Sequence, residues 1–278
     1  MLLNKRREPL YVCLETSNTK ERVTLVNAYG RIQGTAQVQN LWLQSSSYTG
    51  IFATTTAPFD CPVEGCVYGT ALNYQGELTK LGPKLHEKPY LAPPNAPILY
   101  IKPKKYIHRA RTPIPFPEDS NYLEVGAALG VVFKEHVTNV SVEEAWGTIL
   151  GFTIVNDLCI PHDNMHRPAV KYNARDGYCP IGPWIVDRDD APNPDQVVIR
   201  VYVNDELQQT GHTKQLVRNV RQLISDVSAF LSFNPGDVLL VGTPENRPLI
   251  QHGDTVSIEI EGIGKLTNTT VSLKEGVR

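Results

Sequence analysis

The residues Val197-Val198-Ile199-Arg200-Val201-Tyr202-Val203 form a run of β-branched and aromatic side chains that is typical of a strand. Two later stretches, Val238-Leu239-Leu240-Val241 and Thr255-Val256-Ser257-Ile258-Glu259-Ile260, have the same character. Strands outnumber helices and only one long helical pattern is visible, so a doubly wound sheet is not expected. The sequence predicts a mainly β fold with some α structure, a mixed β-roll with a few helices.

The helices are indicated mainly by their ends. Ser141-Val142-Glu143-Glu144 is a capping box, which predicts a short helix that ends near Gly151. A longer helix is predicted over residues 213–232, where apolar residues recur at steps of three and four and Asn234-Pro235-Gly236 follows as a stop. Residues 79–117 are dense in proline and lysine, which predicts an extended connection around a sheet and not a helix.

The amino-terminal part of the chain reads as short β-rich pieces. Leu10-Tyr11-Val12-Cys13-Leu14 and Arg22-Val23-Thr24-Leu25-Val26 are the clearest strands, and turn residues separate later ones. We therefore expect a small β-rich accessory module over residues 1–64 and a larger domain over residues 65–278.

Composition excludes several classes of partner. The 278 residues carry a formal net charge of -2 and contain no long Lys/Arg run, so neither nucleic acid nor an anionic membrane is expected as a partner. No segment approaches the ~18 apolar residues of a membrane span, and the start lacks a signal-peptide pattern, which predicts a cytoplasmic protein. The five cysteines lack Cys-x-x-Cys pairs and are expected to be free thiols.

A colinear series of motifs runs from Cys66 to the carboxyl end, and together these motifs resemble the fumarylacetoacetate hydrolase superfamily. No single motif is diagnostic, but their order is. The motifs are Ala71-Leu72-Asn73-Tyr74, Tyr100-Ile101-Lys102-Pro103, Gly151-Phe152-Thr153-Ile154-Val155-Asn156-Asp157, Arg175-Asp176-Gly177-Tyr178-Cys179-Pro180-Ile181-Gly182-Pro183-Trp184, Asn234-Pro235-Gly236-Asp237-Val238 and Val241-Gly242-Thr243-Pro244.

Within that superfamily, four phrases narrow the resemblance. They are similar to the amino-terminal half of the fused bacterial isomerase/decarboxylase of homoprotocatechuate (4-hydroxyphenylacetate) breakdown, or to the separate subunit that replaces that half. The phrases are Pro89-Tyr90-Leu91-Ala92-Pro93-Pro94, Ile114-Pro115-Phe116-Pro117, Arg167-Pro168-Ala169-Val170-Lys171 and the Arg175–Gly182 part of the motif series.

The resemblance implies Mg²⁺-dependent chemistry beside the carbonyl of a 2-oxo acid, with three carboxylates as metal ligands. Asp157 matches the third ligand. The other two come from a Glu-x-Glu pair on one strand, and these positions fall on Gly126 and Ala128, so the Mg²⁺ site is expected to be degenerate. An alignment shifted by two residues remains open, and it restores Glu124 as one ligand.

The resemblance also assigns the remaining candidate residues. Glu77 stands where the family has a histidine base, and Asn173 stands where it has a lysine, so Lys171 two residues earlier is the replacement candidate. Together with Asp157, the predicted catalytic set is Glu77, Asp157 and Lys171. The residues predicted to bind substrate are Tyr74, Lys102, Arg175 and Thr243.

Simpler interpretations stand beside several of these. Asp157 could cap a turn, and Arg175 could form an ion pair with Asp176 at a strand end. His162 and His166 stand four residues apart and could form a replacement metal site with Asp157, although solvated histidines are the simpler interpretation.

We therefore expect a subunit of a 2-oxo-acid decarboxylase/isomerase of 4-hydroxyphenylacetate catabolism, acting on 5-carboxymethyl-2-oxo-hex-3-ene-1,7-dioate or a similar di- or tricarboxylic acid. A homodimer, or pairing with a metal-competent paralogue, is expected. The alternative is a non-catalytic structural or regulatory subunit that supports an active partner.

Overall fold

A computed structural model describes residues 11–17, 20–26, 32–39, 42–45, 51–53, 61–63, 65–88, 91–103, 107–110, 112–162 and 169–272. The amino-terminal part of these contains one antiparallel sheet of five strands, in which each strand pairs with the next along the chain. The strands are β1 (Tyr11–Ser17), β2 (Lys20–Val26), β3 (Ile32–Gln39), β4 (Trp42–Ser45) and β5 (Ile51–Ala53). The expected β-rich character of this segment is confirmed. Its division from the rest at residue 64 stays a prediction.

The central element is a mixed sheet of seven strands in the order β7-β6-β16-β11-β12-β13-β8. Its middle strand, β11, is buried along its whole length, as its apolar sequence requires. The strands are β6 (Val67–Ala71), β7 (Ile98–Lys102), β8 (Ile107–Arg109), β11 (Ala127–Phe133), β12 (Ile149–Asn156), β13 (Cys179–Asp187) and β16 (Val238–Leu240).

A second sheet of five strands has the order β15-β14-β18-β19-β9, and a two-stranded ribbon pairs β10 with β17. The predicted strands at 197–203 and 255–260 are its β14 and β18. The strands are β9 (Ile114–Phe116), β10 (Leu123–Glu124), β14 (Val198–Val203), β15 (Glu206–His212), β17 (Leu249–Ile250), β18 (Thr255–Ile260) and β19 (Gly264–Ser272).

One large apolar cluster joins the seven-stranded sheet to the five-stranded sheet that contains β14 and β18. Its members include Leu129 of β11, Phe152 of β12 and Ile258 of β18, all of them buried. A smaller cluster contains Ala128 and Val155. The mixed, mainly β architecture predicted from the sequence is therefore confirmed.

The helices are α1 (Gln75–Leu81), α2 (Val142–Ala145), α3 (Val170–Asn173) and α4 (Val220–Ser228). Ser141 and Glu144 form the predicted capping box at the start of α2. The helix predicted over residues 213–232 is shorter than expected, because Asn73 fixes the backbone of Arg218 in a non-helical position. The Asn73 side chain accepts from the Arg218 N–H at 2.9 Å and donates to the Arg218 carbonyl oxygen at 3.1 Å. Asn219 then caps α4.

The expectation of an extended connection over residues 79–117 was partly wrong. Helix α1 continues to Leu81, and a 3₁₀ turn follows over Gly82–His86, with a proline in its first turn where no donor is needed. The later part of the segment is extended, as β7, β8 and β9.

Among the described residues, no helix is long and apolar enough to cross a membrane. Cys66, Cys159 and Cys179 are free thiols, as predicted. The side chain of Cys13 lies outside the described part.

Candidate active site

A cavity of about 430 Å³ opens at one end of the seven-stranded sheet. Its walls come from the end of β6, α1, β7, β10, the segment after β12, both ends of α3 and the loop between β16 and β17. Four carboxylates and two cationic side chains line it, together with apolar and amide groups. The lining residues are Ala71, Leu72, Glu77, Lys80, Ile98, Tyr100, Glu124, Asp157, Cys159, His162, Ala169, Asn173, Glu245, Asn246 and Arg247.

Asp157 follows the last residue of β12 and is only 5% exposed. Its backbone N–H donates to the carbonyl oxygen of Gly126 at 2.7 Å. Both of its carboxylate oxygens are engaged, since Oδ1 lies 2.5 Å from Lys102 Nζ and Oδ2 accepts a hydrogen bond from the Tyr100 hydroxyl. Asp157 is therefore an ion-paired carboxylate on the cavity wall, and not a simple turn cap.

Tyr100 and Lys102 reach Asp157 because they stand two residues apart on β7 and so share a face of the strand. Ile101 between them is 58% exposed, whereas Lys102 is 1% exposed. Burial, followed by the charge of Asp157, raises the pKa of Tyr100 well above its ordinary value, so the hydroxyl keeps its proton and donates it.

Lys102 was expected to bind substrate, but the structure places it behind the cavity wall. Besides Asp157, its ammonium contacts three backbone carbonyl oxygens, those of Leu158 at 2.9 Å, Asn173 at 2.7 Å and Tyr178 at 3.4 Å. An ammonium group has three N–H donors, and this set of oxygens accounts for them. Lys102 therefore neutralises Asp157 from inside the protein.

The segment from Glu124 to Ala128 places the two carboxylate positions of the Glu-x-Glu motif. Glu124 lines the cavity beside Asp157 and is held there by paired backbone bonds with Cys159, at 2.8 and 3.2 Å. Ala128 instead packs in the smaller apolar cluster. The geometry thus favours the alternative alignment, which puts the two positions on Glu124 and Gly126.

Gly126 itself leaves no room for a side chain. A Cβ there would collide with the carbonyl oxygen of Asp157. A carboxylate at this position would therefore require the backbone to shift.

Arg247 is a cavity residue that the sequence reasoning did not identify. Its guanidinium donates to Glu77 Oε1 at 3.2 Å and lies 3.8 Å from Glu124 Oε2. Burial lowers the pKa of Arg247, but Glu77, Tyr100, Asp157 and Glu124 together outweigh it and raise that pKa, so the group is cationic. The only sequence signal was its place three residues after the Gly242-Thr243-Pro244 motif.

Glu77 occupies the first turn of α1 and is 17% exposed. Burial raises its pKa, Arg247 opposes that shift, and the neighbouring carboxylate of Glu245 adds to it. A glutamate whose pKa is raised is a stronger base once it is deprotonated, so Glu77 has the surroundings that proton transfer at neutral pH requires.

The other predicted residues lie away from the cavity surface. Tyr74 is fully buried and Thr243 is 3% exposed. Lys171 is largely exposed and lies 3.6 Å from Asp119, while Arg175 makes two hydrogen bonds of 2.8 Å to the same carboxylate. Arg175 thus has an ion pair as the simpler interpretation suggested, but its partner is Asp119.

His162 lines the cavity and stacks on Tyr172, while His166 lies outside the described residues. Cys159 also lines the cavity, but burial raises its pKa to about 12, so it is not a thiolate nucleophile at neutral pH.

The donors present do not fit the Mg²⁺ that the resemblance implies. Mg²⁺ needs oxygen ligands at about 2.1 Å with free lone pairs and excess negative charge. Asp157 is occupied by Lys102 and Tyr100, and Glu124 faces Arg247. In the described part of the chain, no group of three His, Cys, Asp or Glu side chains is placed to hold a metal ion.

Comparisons with known proteins identify the family. The family model described as Fumarylacetoacetate (FAA) hydrolase C-terminal matches residues 66–271. The 4-hydroxyphenylacetate degradation bifunctional isomerase/decarboxylase of Escherichia coli is 35% identical over 213 residues, which cover 77% of this chain and 48% of that protein. The chain thus spans about half the length of this curated relative, and the same holds for two similar ones.

Solved structures share the fold. The 5-carboxymethyl-2-hydroxymuconate delta-isomerase from Mycobacterium smegmatis has a TM-score of 0.73 at 27% identity, and 94% of each chain is covered. Fumarylpyruvate hydrolase from Pseudomonas aeruginosa, in complex with Mn²⁺ and pyruvate, has a TM-score of 0.66 at 23% identity, covering 76% of this chain and 91% of that one. The second likeness concerns the fold alone.

The motif series, the mixed sheets and a family match over most of the chain lead to one conclusion: the chain belongs to the fumarylacetoacetate hydrolase family.

Proposed function

We propose that this chain is a subunit of an isomerase or decarboxylase that acts on a small 2-oxo di- or tricarboxylic acid of 4-hydroxyphenylacetate catabolism, and that its metal site is degenerate. The relative at 35% identity supplies the reaction class. The observation that carries the proposal is the cavity itself, where Glu77, Asp157 and Arg247 meet in the family's fold.

The proposed reaction needs two chemical roles in the cavity. Reaction beside a carbonyl passes through an enolate, so a base must remove a proton and a positive group must stabilise the charge. Glu77 is the base, since it lines the cavity and has a raised pKa. In an isomerisation, the proton that Glu77 takes from one carbon returns to another carbon of the same conjugated chain.

Asp157 and Lys102 hold the cavity wall in shape. Their ion pair ties the segment after β12 to β7, and Lys102 also ties it to α3 through the carbonyl of Asn173. Lys171 and Arg175, which we predicted as catalytic and substrate-binding residues, have no such position, and we assign them to the protein surface around Asp119.

A second candidate function is a non-catalytic subunit that supports an active paralogue. The observation in its favour is that Asn173 stands where the family has a lysine, while its side-chain oxygen accepts from the Cys159 thiol at 2.7 Å. Pairing with a second copy or a paralogue, and a cytoplasmic location, stay predictions from the sequence.

The test is turnover of 5-carboxymethyl-2-oxo-hex-3-ene-1,7-dioate, followed by ultraviolet absorbance with the purified chain. We expect kcat/KM to rise with pH through the pKa of Glu77, because only the carboxylate form accepts a proton and burial places that pKa above the ordinary glutamate value.

Glu77→Gln should lower kcat by about 10²- to 10³-fold. Glu87→Gln, a change at an exposed glutamate, is the matched control and should leave kcat unchanged. Absence of turnover by the chain, both alone and together with a metal-competent paralogue, would contradict the proposed reaction. Turnover only when the paralogue is present, unchanged by Glu77→Gln, would favour the non-catalytic alternative.

A further inference from the structure

We propose that the Arg247 guanidinium is the resident cation of the cavity, that it takes the carboxylate of a small 2-oxo acid, and that it stands in place of a divalent metal ion. The class of ligand rests on the proposed function. The placement of the charge rests on the geometry alone.

The first observation is the ring of carboxylates around Arg247. Glu77 lies 3.2 Å and Glu124 3.8 Å from its nitrogens, and Asp157 is close enough to raise its pKa. These carboxylates come from α1, β10 and the end of β12, three elements far apart in sequence. A positive charge at their meeting point is what an ion would otherwise supply.

The second observation is the state of Asp157. Its Oδ1 is neutralised by Lys102, and its Oδ2 accepts from Tyr100. An ion bound to Oδ1 at about 2.1 Å would lie less than ~5 Å from the Lys102 ammonium and would meet like-charge repulsion there. The carboxylate that the family uses for a metal is thus already committed to the protein.

The third observation is that Arg247 faces the cavity whereas Lys102 does not. Arg247 is 27% exposed and lines the walls, while the Lys102 side chain has no exposed surface. A guanidinium has five N–H donors, of which the bond to Glu77 uses one, and its planar fork matches a carboxylate. Of Arg247 and Lys102, only Arg247 is placed to touch a ligand. Lys80 also lines the cavity, but the ion pairs described for Glu77 and Glu124 are those with Arg247.

The absence of a side chain at Gly126 completes the arrangement. Glu124 is the one retained Glu-x-Glu carboxylate at the cavity, and it faces Arg247. A position without a side chain at Gly126 and a guanidinium among the remaining carboxylates together favour a site with a fixed charge over a metal site.

Titration with Mn²⁺, followed by electron paramagnetic resonance, tests the charge directly. We expect the unmodified chain to bind no Mn²⁺ up to about 1 mM. Arg247→Ala should create a Mn²⁺ site at least about tenfold tighter, because Glu77 and Glu124 then face the cavity without the cation that pairs with both of them. Adding Glu124→Gln to that variant should abolish the site.

Stoichiometric, tight Mn²⁺ binding by the unmodified chain would overturn the proposal. That measurement needs no variant, so it decides the question even if Arg247→Ala does not fold. Failure of a folded Arg247→Ala variant to gain any Mn²⁺ affinity would also count against it.

Calorimetric titration with oxalate, in EDTA and separately with excess Mg²⁺, tests the ligand role. We expect the same dissociation constant within about twofold in both solutions, a loss of about tenfold or more in Arg247→Ala, and an intermediate value in Arg247→Lys. Lys84→Ala, at an exposed position outside the cavity lining, is the control and should bind normally.

Oxalate binding that disappears in EDTA and returns with Mg²⁺ would overturn the proposal. If oxalate binds in neither solution, the acid ligand of the proposed function is wrong, and the Mn²⁺ titration alone decides whether Arg247 is the resident cation. The two failures are thereby distinguishable.

Discussion

At the scale of single residues, the structure separates two lysines that the sequence analysis placed at the site, Lys102 as a substrate-binding residue and Lys171 as a catalytic one. Lys102 and Lys171 were both candidates for the site. Lys102 is buried against Asp157, and Lys171 is 70% exposed beside Asp119. The charge is the same, but the surroundings give the first a structural ion pair and the second a solvated one.

We predict that Lys102→Met destabilises the protein by about 3–5 kcal/mol, because Asp157 would be left as a buried carboxylate without its counter-ion. Chemical unfolding in urea measures this change. Lys171→Met removes the same group from an exposed pair and should leave the unfolding midpoint unchanged. Equal effects of the two substitutions would contradict the assignment of Lys102 to the interior.

Residue by residue, the candidate site was predictable only where a motif covers it. Asp157 and Glu77 were found from motifs, and both line the cavity. Arg247 was missed because it belongs to a loop whose path depends on tertiary contacts, and its place after the Gly242-Thr243-Pro244 motif does not by itself predict a position in the cavity. The sequence left two alignments of the Glu-x-Glu pair open, two residues apart and on the same face of the strand. The burial of Ala128 in the smaller apolar cluster favours the alignment on Glu124 and Gly126.

At the scale of elements, most strands were visible from their β-branched residues, but the start of α4 was not. The apolar pattern over residues 213–232 is helical in period, yet residues 216–219 are not helical. Leu216 bridges to Tyr74, and the N–H of Val217 donates to the carbonyl of Asn73 at 2.8 Å. A long-range backbone pairing thus overrode the local preference.

We predict that Asn73→Ala destabilises the protein by about 3 kcal/mol, because the buried amide bonds both backbone groups of Arg218 and the carbonyl of Val241. Asn219→Ala, which removes the exposed cap of α4, should cost only about 1 kcal/mol. Urea unfolding of the two variants compares them. A smaller effect at Asn73 than at Asn219 would contradict the role given to Asn73.

At the scale of the whole molecule, the order of six motifs was sufficient to predict the fold. Each motif places a strand end or a turn, and the sheets bring these points together: α1, β7, β10, the end of β12 and the loop before β17 all reach one cavity. A single motif could not predict that these elements converge on one cavity, because strand order in the seven-stranded sheet departs from sequence order. The extent of the amino-terminal module stays a prediction.

The most direct test of the whole account is a crystal grown with oxalate and Mn²⁺, with anomalous data collected at the manganese edge. We predict oxalate with a carboxylate against the Arg247 guanidinium and no anomalous peak beside Asp157. A strong peak there, with protein oxygens of Asp157 and Glu124 around it and oxalate chelating the ion, would contradict the central claim that this cavity carries its own cation.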